Sequence, residues 1–433
     1  MAMAEQIFAR RRPRDFDGSS PAELAIFEAA EALLVDKSLQ DLTIADILRT
    51  AGLSRANFYH YFANKYDVLV ALLGRLLESS YSVAAPWSSE PGRERARSMG
   101  DSLASTLEMW SQHGAVICAV VEHMHSEPAV AAAWHRMYEQ FVDTVAEQIE
   151  FERGAGRAPE GAPAATVAAM LVGATERVFY VTSRGLDPRL PSIESVVDAL
   201  VAINEAAIYG GRHVSADTKS QAVEPDVGQR GPDAVVAPPP IEGETAQAIA
   251  QAMRELLVTE SLADISVASI LGKAGISRAS FYFYFRSKED AFVALFREAA
   301  VEVVGGLSRL TEIDRTDPAA VSALVDEWLD LAGFTGPIVR NAVHAWPRMP
   351  ELRAEYLSAI GQMESLIESV IVDDRARGTA VPGPPAGQYA ATLVWTIERV
   401  VAGALAGEAH LTDFEAVKTA VAQLLHAAIY GQR

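Results

Sequence analysis

The stretch AGLSRANFYHYF occupies residues 51–62, and a second version of it, AGISRASFYFYF, occupies residues 274–285. Each has a glycine that favours a tight turn and a serine suited to cap the helix that follows. Phe58 and Phe62 are four positions apart, so both would face a core, while Arg, Tyr and His fall on the other side. A helix, a tight turn and a short helix form the helix-turn-helix arrangement. The pattern therefore predicts a DNA-recognition helix that is present twice.

The similarity between the two stretches extends over most of the chain. Residues 43–73 align without gaps with 266–296, and 17 of 31 positions are identical. Further on, Glu-Arg-Val at 176–178 matches 398–400, and Ala-Ala-Ile-Tyr-Gly at 206–210 matches 427–431. Such spacing indicates two homologous repeats that together fill the chain.

The repeats suggest a division into six segments. The stretch between the repeats is rich in polar residues and glycine and ends in three prolines, which is typical of a linker. We expect a disordered basic arm at 1–17, a helix-turn-helix domain at 18–78, a helical regulatory domain at 79–212, a linker at 213–240, a second helix-turn-helix domain at 241–300 and a second regulatory domain at 301–433.

Apolar residues recur at helical spacing throughout both repeats, and no strand-like alternation of any length is present. The fold class is therefore predicted to be all-α. In the first repeat we expect longer helices at about 93–112, 114–125, 128–153, 163–184 and 191–209. In the second repeat we expect them at about 318–333, 337–346, 350–375, 385–407 and 412–430.

Composition narrows the class of protein further. Half of the 433 residues are hydrophobic, which favours a sizeable helical core over disorder. No apolar run reaches the roughly 18 residues that a membrane span needs, and the arginines near the start are not followed by the apolar stretch of a secretory signal. The single cysteine, Cys118, excludes an intrachain disulfide and fits a reducing compartment. We expect a cytoplasmic protein.

The formal net charge of −20 argues, taken alone, against a nucleic-acid partner. Charge acts mainly within about one Debye length, however, which is roughly 8–10 Å in physiological salt. A small cationic face on an acidic body can therefore still meet DNA.

The short helix carries residue types that suit this task. Arginine pairs with guanine and asparagine with adenine in the major groove, and a small alanine lets the backbone approach. Tyrosine hydroxyls bind phosphates. The alternative is that the tyrosines are ordinary half-buried aromatics. This alternative is disfavoured because the whole pattern is present twice.

At this point the sequence resembles a known family. The stretch from Thr43 to Asp67, with its glycine, aromatic pairs and Asn-Lys, is similar to the DNA-binding domain of TetR-family transcriptional regulators, and the second repeat resembles it equally. The resemblance covers about 50 residues of each repeat. Beyond these, the repeats are similar to the family only in length and helical pattern.

The resemblance implies a role for particular residues. Base contacts would be made by Arg55, Ala56, Asn57 and His60, and by Arg278, Ala279, Ser280 and Phe283. Contacts to the phosphate backbone would be made by Thr43, Tyr59, Tyr61 and Lys65, and by Ser266, Tyr282, Tyr284 and Lys288.

The family normally binds DNA as a homodimer, through a bundle formed by the last two helices of each chain. Here 163–184 and 191–209 could pair with 385–407 and 412–430 inside one chain, so we expect a monomer that acts as an internal pseudo-dimer. The alternative is that each pair of helices packs only within its own repeat. His60 of the first repeat aligns with Phe283 of the second, and Asn57 aligns with Ser280. Because the base-contacting residues differ in this way, we predict an asymmetric double-stranded operator with two unlike half-sites.

By the same resemblance, the larger domains would bind a small, mostly apolar effector that releases a repressor from DNA. Aromatic residues and one histidine are candidates for this ligand site as a set, although each of them taken singly is more typical of plain core: Trp110, His123, Trp134, Tyr138, Phe141, Phe179, Trp328, Phe334, Trp346, Tyr356 and Trp395. His123 and His125 diverge on a helix, and we expect no metal site and no cofactor.

Three other functions compete with this hypothesis. The protein could be an architectural DNA-binding protein without an effector, or a helical protein-interaction module that has lost DNA binding. An enzyme is disfavoured, because no nucleophile triad, phosphate loop, metal motif or paired carboxylates in a plausible setting can be found.

Overall fold

The structure, a computed structural model, describes residues 20–80, 87, 90, 93–211, 241, 243–330, 333 and 335–431. The predicted basic arm at 1–17 and linker at 213–240 lie outside these residues. Within the described part the chain is helical and contains no strand, which confirms the all-α prediction.

The chain forms two compact units, and they do not coincide with the two repeats. The first unit comprises Met1–Gln148 and Val178–Val197. The second comprises Ile149–Arg177 and Asp198–Arg433. Parts of the first repeat's last helices therefore pack with the second repeat.

The first repeat folds into eight helices over its described residues: α1 Pro21–Asp36, α2 Ile44–Ala51, α3 Arg55–Tyr61, α4 Lys65–Ser80, α5 Arg93–His123, α6 Pro128–Gly154, α7 Ala164–Ser183 and α8 Val197–Tyr209. The predicted boundary between the helices at 93–112 and 114–125 coincides with a kink inside α5, where the backbone of His113 leaves helical geometry. Helix α8 begins later than predicted, since Ser192 and Ser195 bond to each other in a turn.

The described part of the second repeat contains nine α-helices and two short 3-10 turns. The α-helices are α9 Glu244–Leu257, α10 Val267–Ala274, α11 Arg278–Tyr284, α12 Lys288–Ser308, α13 Pro318–Trp328, α14 Thr335–Ala345, α15 Pro350–Arg377, α16 Ala386–Ala406 and α17 Phe414–Tyr430. The 3-10 turns are Arg309–Thr311 and Trp346–Arg348.

Two helices, α7 and α16, are long and apolar enough to cross a membrane by length and composition alone. In each, 83% of the most apolar window is buried inside the protein. Burial in a protein core explains the apolar character of both helices, as in the interior of a helical bundle.

Candidate nucleic-acid interface and ligand cavity

The turn before each short helix has the geometry that its glycine predicts. Gly52 and Gly275 adopt φ values of 66° and 67°, in the left-handed region where a side chain is strained. The hydroxyl of Ser54 then accepts a hydrogen bond from the Asn57 amide, and Ser277 does the same for Ser280. The sequence thus ends one helix and starts the next within three residues.

Each short helix is anchored by its phenylalanines. Phe58 and Phe62 are buried in the first repeat, as are Phe281 and Phe285 in the second. The Phe62 ring packs edge-on against Phe27 of α1, with ring centroids 5.7 Å apart. This fixes which side of α3 faces away from the domain.

The opposite side, which we call the outward face, is exposed in both repeats. In α3 the side chains of Arg55, Ala56, Asn57, Tyr59 and His60 are exposed, and Tyr61 is half-buried. In α11 the exposed side chains are Arg278, Ala279, Tyr282, Phe283 and Tyr284, with Ser280 half-buried. The structure therefore brings together the residues predicted to contact bases, within each repeat.

The two outward faces differ in detail. Phe283 is 80% exposed, so most of its apolar ring is accessible to a molecule outside the chain. Ser280 shares a hydrogen bond of 2.8 Å with the capping hydroxyl of Ser277, so its hydroxyl is partly engaged. In the first repeat, Ser20 donates a hydrogen bond to the Tyr61 hydroxyl at 2.8 Å, whereas Gly243 stands at the equivalent place before α9.

Thr43 and Ser266, predicted to contact phosphates, are exposed and cap α2 and α10. Asp46 accepts hydrogen bonds from the backbone and hydroxyl of Thr43, and these bonds lower the pKa of Asp46 to about 2. Ser269 takes the place of Asp46 in the second repeat. The second repeat therefore lacks this negative charge beside its capping serine.

Lys65 and Lys288 have a different geometry from the predicted phosphate contact. The Lys65 ammonium donates to the carbonyls of Leu39, Gln40 and Leu42, at 2.6, 3.0 and 3.0 Å. Lys288 repeats this arrangement with the carbonyls of residues 262, 263 and 265. An ammonium has three protons to donate, and all three are directed into the protein. Burial lowers the pKa of Lys65, while nearby carboxylates oppose that effect.

The second unit contains a cavity of about 90 Å³, several times the roughly 10–15 Å³ that one water molecule needs. Its wall comes from α12, α13, α14, α15 and α16, and is almost wholly apolar. Of the predicted ligand residues, Trp328 and Tyr356 line it. Trp346 and Trp395 are fully buried behind Tyr356 and do not line it, and Phe334 lies outside the described residues. Prediction from aromatic residues alone missed the aliphatic wall and Glu398.

The predicted ligand residues of the first unit are buried or half-buried. The Trp110 and Phe179 rings meet edge-on at 5.9 Å. A ring nitrogen of His123 lies 3.0 Å from the carbonyl of Ala119. Trp134 and Tyr138 are buried, and Phe141 is half-buried. In the described part of the chain, no group of three or more histidines, cysteines and acids is placed to hold a metal.

A buried charge cluster joins the two repeats within the second unit. The Nε of Arg399 donates to Glu176 at 2.9 Å, and Arg177 Nε lies 3.1 Å from Glu398. Glu176 aligns with Glu398 and Arg177 with Arg399, so the glutamate of each repeat pairs with the arginine of the other repeat. Such reciprocity is the mark of a two-fold interface. The repeated Glu-Arg pair inside an otherwise apolar helix was a signal for it in the sequence.

Hydrogen bonds outside the charge cluster also join the repeats. The Gln423 side chain accepts a hydrogen bond from the Ala162 amide at 3.1 Å. The Thr166 hydroxyl donates to the carbonyl of His410 at 3.0 Å. Residues of the two repeats therefore contact each other directly within the second unit.

Comparison with known proteins agrees with the repeat structure. A family model described as bacterial regulatory proteins of the tetR family matches residues 26–72 and 249–295. A second model, the C-terminal domain of the transcriptional regulator EthR, matches residues 99–210 and 319–431, more than half of the chain.

Whole relatives match about one repeat. The HTH-type transcriptional regulator EthR of Mycobacterium tuberculosis is 32% identical over 189 residues, which cover 43% of this chain and 87% of the relative. EthR of Mycolicibacterium smegmatis is 28% identical over 204 residues, covering 46% of this chain and 94% of the relative. A solved TetR-family structure from Syntrophomonas wolfei has a TM-score of 0.35 at 15% identity, over 45% of this chain and 98% of that one.

Proposed function

The chain belongs to the TetR family of bacterial transcriptional regulators and contains two TetR-like repeats in tandem, and from this premise we propose that one chain binds a DNA operator as an internal pseudo-dimer. Each repeat presents one outward face to one half-site. The reciprocal pairs Glu176–Arg399 and Arg177–Glu398 support this proposal, because they give one chain the interface that a homodimer would need two chains to make.

We further propose that the operator is asymmetric. Base contacts would come from Arg55, Asn57 and His60 in one half-site. In the other they would come from Arg278 and Phe283, with Ser280 weakened by its bond to the helix cap. A histidine can donate or accept a hydrogen bond, whereas an exposed phenylalanine ring fits the methyl group of thymine. The observation that supports unlike half-sites most directly is the 80% exposure of Phe283 where the first repeat has His60.

The regulator is proposed to be a cytoplasmic repressor that an apolar ligand releases from DNA. The cavity beside α12 supports this, because α12 directly follows the second recognition helix in the chain and also forms part of the cavity wall. A ligand in this place would act on the helix that holds α11.

Selection of bound sequences from random double-stranded DNA by the full chain, followed by footprinting, tests the proposal. We expect two different half-sites about one helical turn apart, 10–10.5 base pairs between centres. Arg55→Ala should relax one position in one half-site and cost about 1–3 kcal/mol, and Arg278→Ala should do so in the other half-site only.

A perfect palindrome would contradict the asymmetric operator but leave DNA binding intact. A chain that shows no salt-dependent retention on any DNA would contradict the proposal as a whole. Uniform weakening on all sequences in Arg55→Ala would make this residue a phosphate contact.

A further inference from the structure

We propose that Glu398 is a positioning residue that couples the cavity of the second unit to Arg177 of the first repeat, so that an uncharged ligand in the cavity displaces Arg177 and the part of α7 around it. The inference rests on the proposed ligand-responsive function and deepens it. It assigns the sensing role to the second repeat alone.

The two carboxylate oxygens of Glu398 face different partners. Oε1 accepts a hydrogen bond from the Tyr356 hydroxyl at 2.7 Å, and Oε2 lies 3.1 Å from Nε of Arg177. Tyr356 and Glu398 both line the cavity. One side chain thus joins the cavity wall to the ion pair between the repeats.

A stack of rings makes a second connection between the same places. The Tyr356 ring lies between Phe296 and Trp346, at centroid distances of 5.6 and 5.1 Å and nearly parallel to both. The guanidinium of Arg177 in turn lies over the ring of Trp346, 5.7 Å from the ring centroid. Phe296 belongs to α12. Any ligand that shifts the Tyr356 ring therefore acts on Arg177 through both the carboxylate and the indole.

Arg177 is held less firmly than its equivalent in the second repeat. Its Nε–H is not aligned with the Glu398 oxygen as a hydrogen bond requires, although the distance is that of an ion pair. Arg399, in contrast, is held by Glu176 at 2.9 Å and by Glu408 at 3.0 Å. A small displacement therefore changes the environment of Arg177 more easily than that of Arg399.

The first repeat cannot build the same connection. The positions equivalent to Phe296, Tyr356 and Trp346 are occupied by Leu73, Trp134 and Met124. The indole N–H of Trp134 could donate in place of a hydroxyl, but it is buried without a hydrogen-bond partner. Leucine and methionine cannot continue a stack of rings. The coupling is therefore specific to the second repeat.

The wall also defines the class of ligand. The polar atoms of Tyr356 and Glu398 are directed at each other and at Arg177, and the exposed wall is hydrocarbon. A charged ligand would lose its hydration without gaining a partner, which is strongly unfavourable. We therefore assign the cavity to an uncharged, apolar molecule.

The uncharged fluorescent probe N-phenyl-1-naphthylamine can test the coupling in the full chain. Fluorescence titration measures its binding, and hydrogen–deuterium exchange measures the response of residues 170–177 in α7. For the unaltered chain we expect saturable binding and an exchange rate in this segment that changes at least about fivefold, the lower end of typical allosteric coupling. Each protein is compared at a probe concentration that saturates it, and under this condition the exchange response of Tyr356→Phe should be almost lost, because the hydroxyl that joins the cavity wall to Glu398 is gone.

Matched variants separate coupling from general damage to the fold. Glu398→Gln, which keeps the side-chain size but removes the charge facing Arg177, should also lose the response. Glu176→Gln, its equivalent in the other ion pair, and Trp134→Phe should keep it. A response in Tyr356→Phe equal to that of the unaltered chain would overturn the inference, as would no probe binding or no exchange response in the unaltered chain.

Because the exchange measurement needs no DNA, its outcome is distinct from that of the proposed function. A chain that binds no operator but shows the expected exchange pattern would refute DNA binding and support the coupling. A chain that binds its operator but lacks the exchange response would support DNA binding and refute the coupling.

Discussion

At the scale of single residues, the two repeats place equivalent side chains in unequal surroundings. Arg399 is paired with two buried glutamates, whereas Arg177 has one glutamate and the face of Trp346. Removing one partner of a buried pair typically costs about 3–5 kcal/mol, because the remaining charge stays buried without compensation. These residues were visible in the sequence only as a repeated Glu-Arg pair. Their partners could not be predicted, since the bonded residues lie more than 200 positions apart.

His344 lies beside this cluster and should make the second unit sensitive to acid. Burial lowers the pKa of His344 to about 4, with further contributions from Arg177, Arg399 and Arg348 that Glu408 opposes. The unfolded chain would bind a proton near pH 6.5, while the folded state stays neutral, so stability is complete above that pH and falls below it. Between pH 7.5 and 5.5 we expect this histidine to remove about 1.4 kcal/mol of unfolding free energy.

Urea unfolding of the full chain and of His344→Asn at both pH values measures this effect. On acidification the unfolding free energy of the variant should fall by about 1.4 kcal/mol less than that of the unaltered chain. Equal losses in the two proteins would mean that His344 is already protonated in the folded state, or solvated enough to titrate normally.

At the scale of helices, most of the fold could be predicted from local pattern, because capping residues and glycine stops act within a few positions. The limits of α3 and α11 follow from Ser54, Ser277 and the preceding glycines, and the exposed outward faces follow from helical periodicity. What local pattern could not predict is the use of long side chains across loops. The ammonium of Lys65 reaches carbonyls about 25 residues earlier, and nothing in its neighbourhood in the sequence signals this.

Lys65 is therefore expected to stabilise the first helix-turn-helix domain by joining α4 to the loop before α2. Lys65→Met leaves three carbonyls without their donor and should cost about 1–3 kcal/mol. Amide exchange in residues 39–46 should become faster. The slope of operator affinity against salt should stay unchanged, since no phosphate contact is lost.

Lys273→Met is a suitable control, because Lys273 forms only a half-exposed pair with Glu255 and its removal should cost less than about 1 kcal/mol. If Lys65→Met instead lowers the salt slope by about 0.9 while stability is unchanged, Lys65 contacts a phosphate as the resemblance to the family implied.

At the scale of the whole molecule, the proposed pseudo-dimer makes a prediction about mass. Sedimentation equilibrium of the full chain should give a single species of 46.5 kDa across a wide range of concentrations. One chain should saturate one operator in a titration above the dissociation constant. A species of twice this mass, with two chains on each operator, would mean that the repeats pair between chains.

The proposed pseudo-dimer, with its reciprocal ion pairs between the repeats, would have one further consequence, which concerns inheritance. In a homodimer each gene change is expressed twice, and a damaged subunit can poison a sound one by assembling with it. When both halves are joined in one polypeptide, a change in the gene alters one half only. Neither half is then free to pair with a different regulator and form a mixed assembly. Assembly also stops depending on abundance, because the partner is always present at the high local concentration that a tether provides. In the proposed pseudo-dimer, every molecule would be assembled even when a cell contains only a few of them.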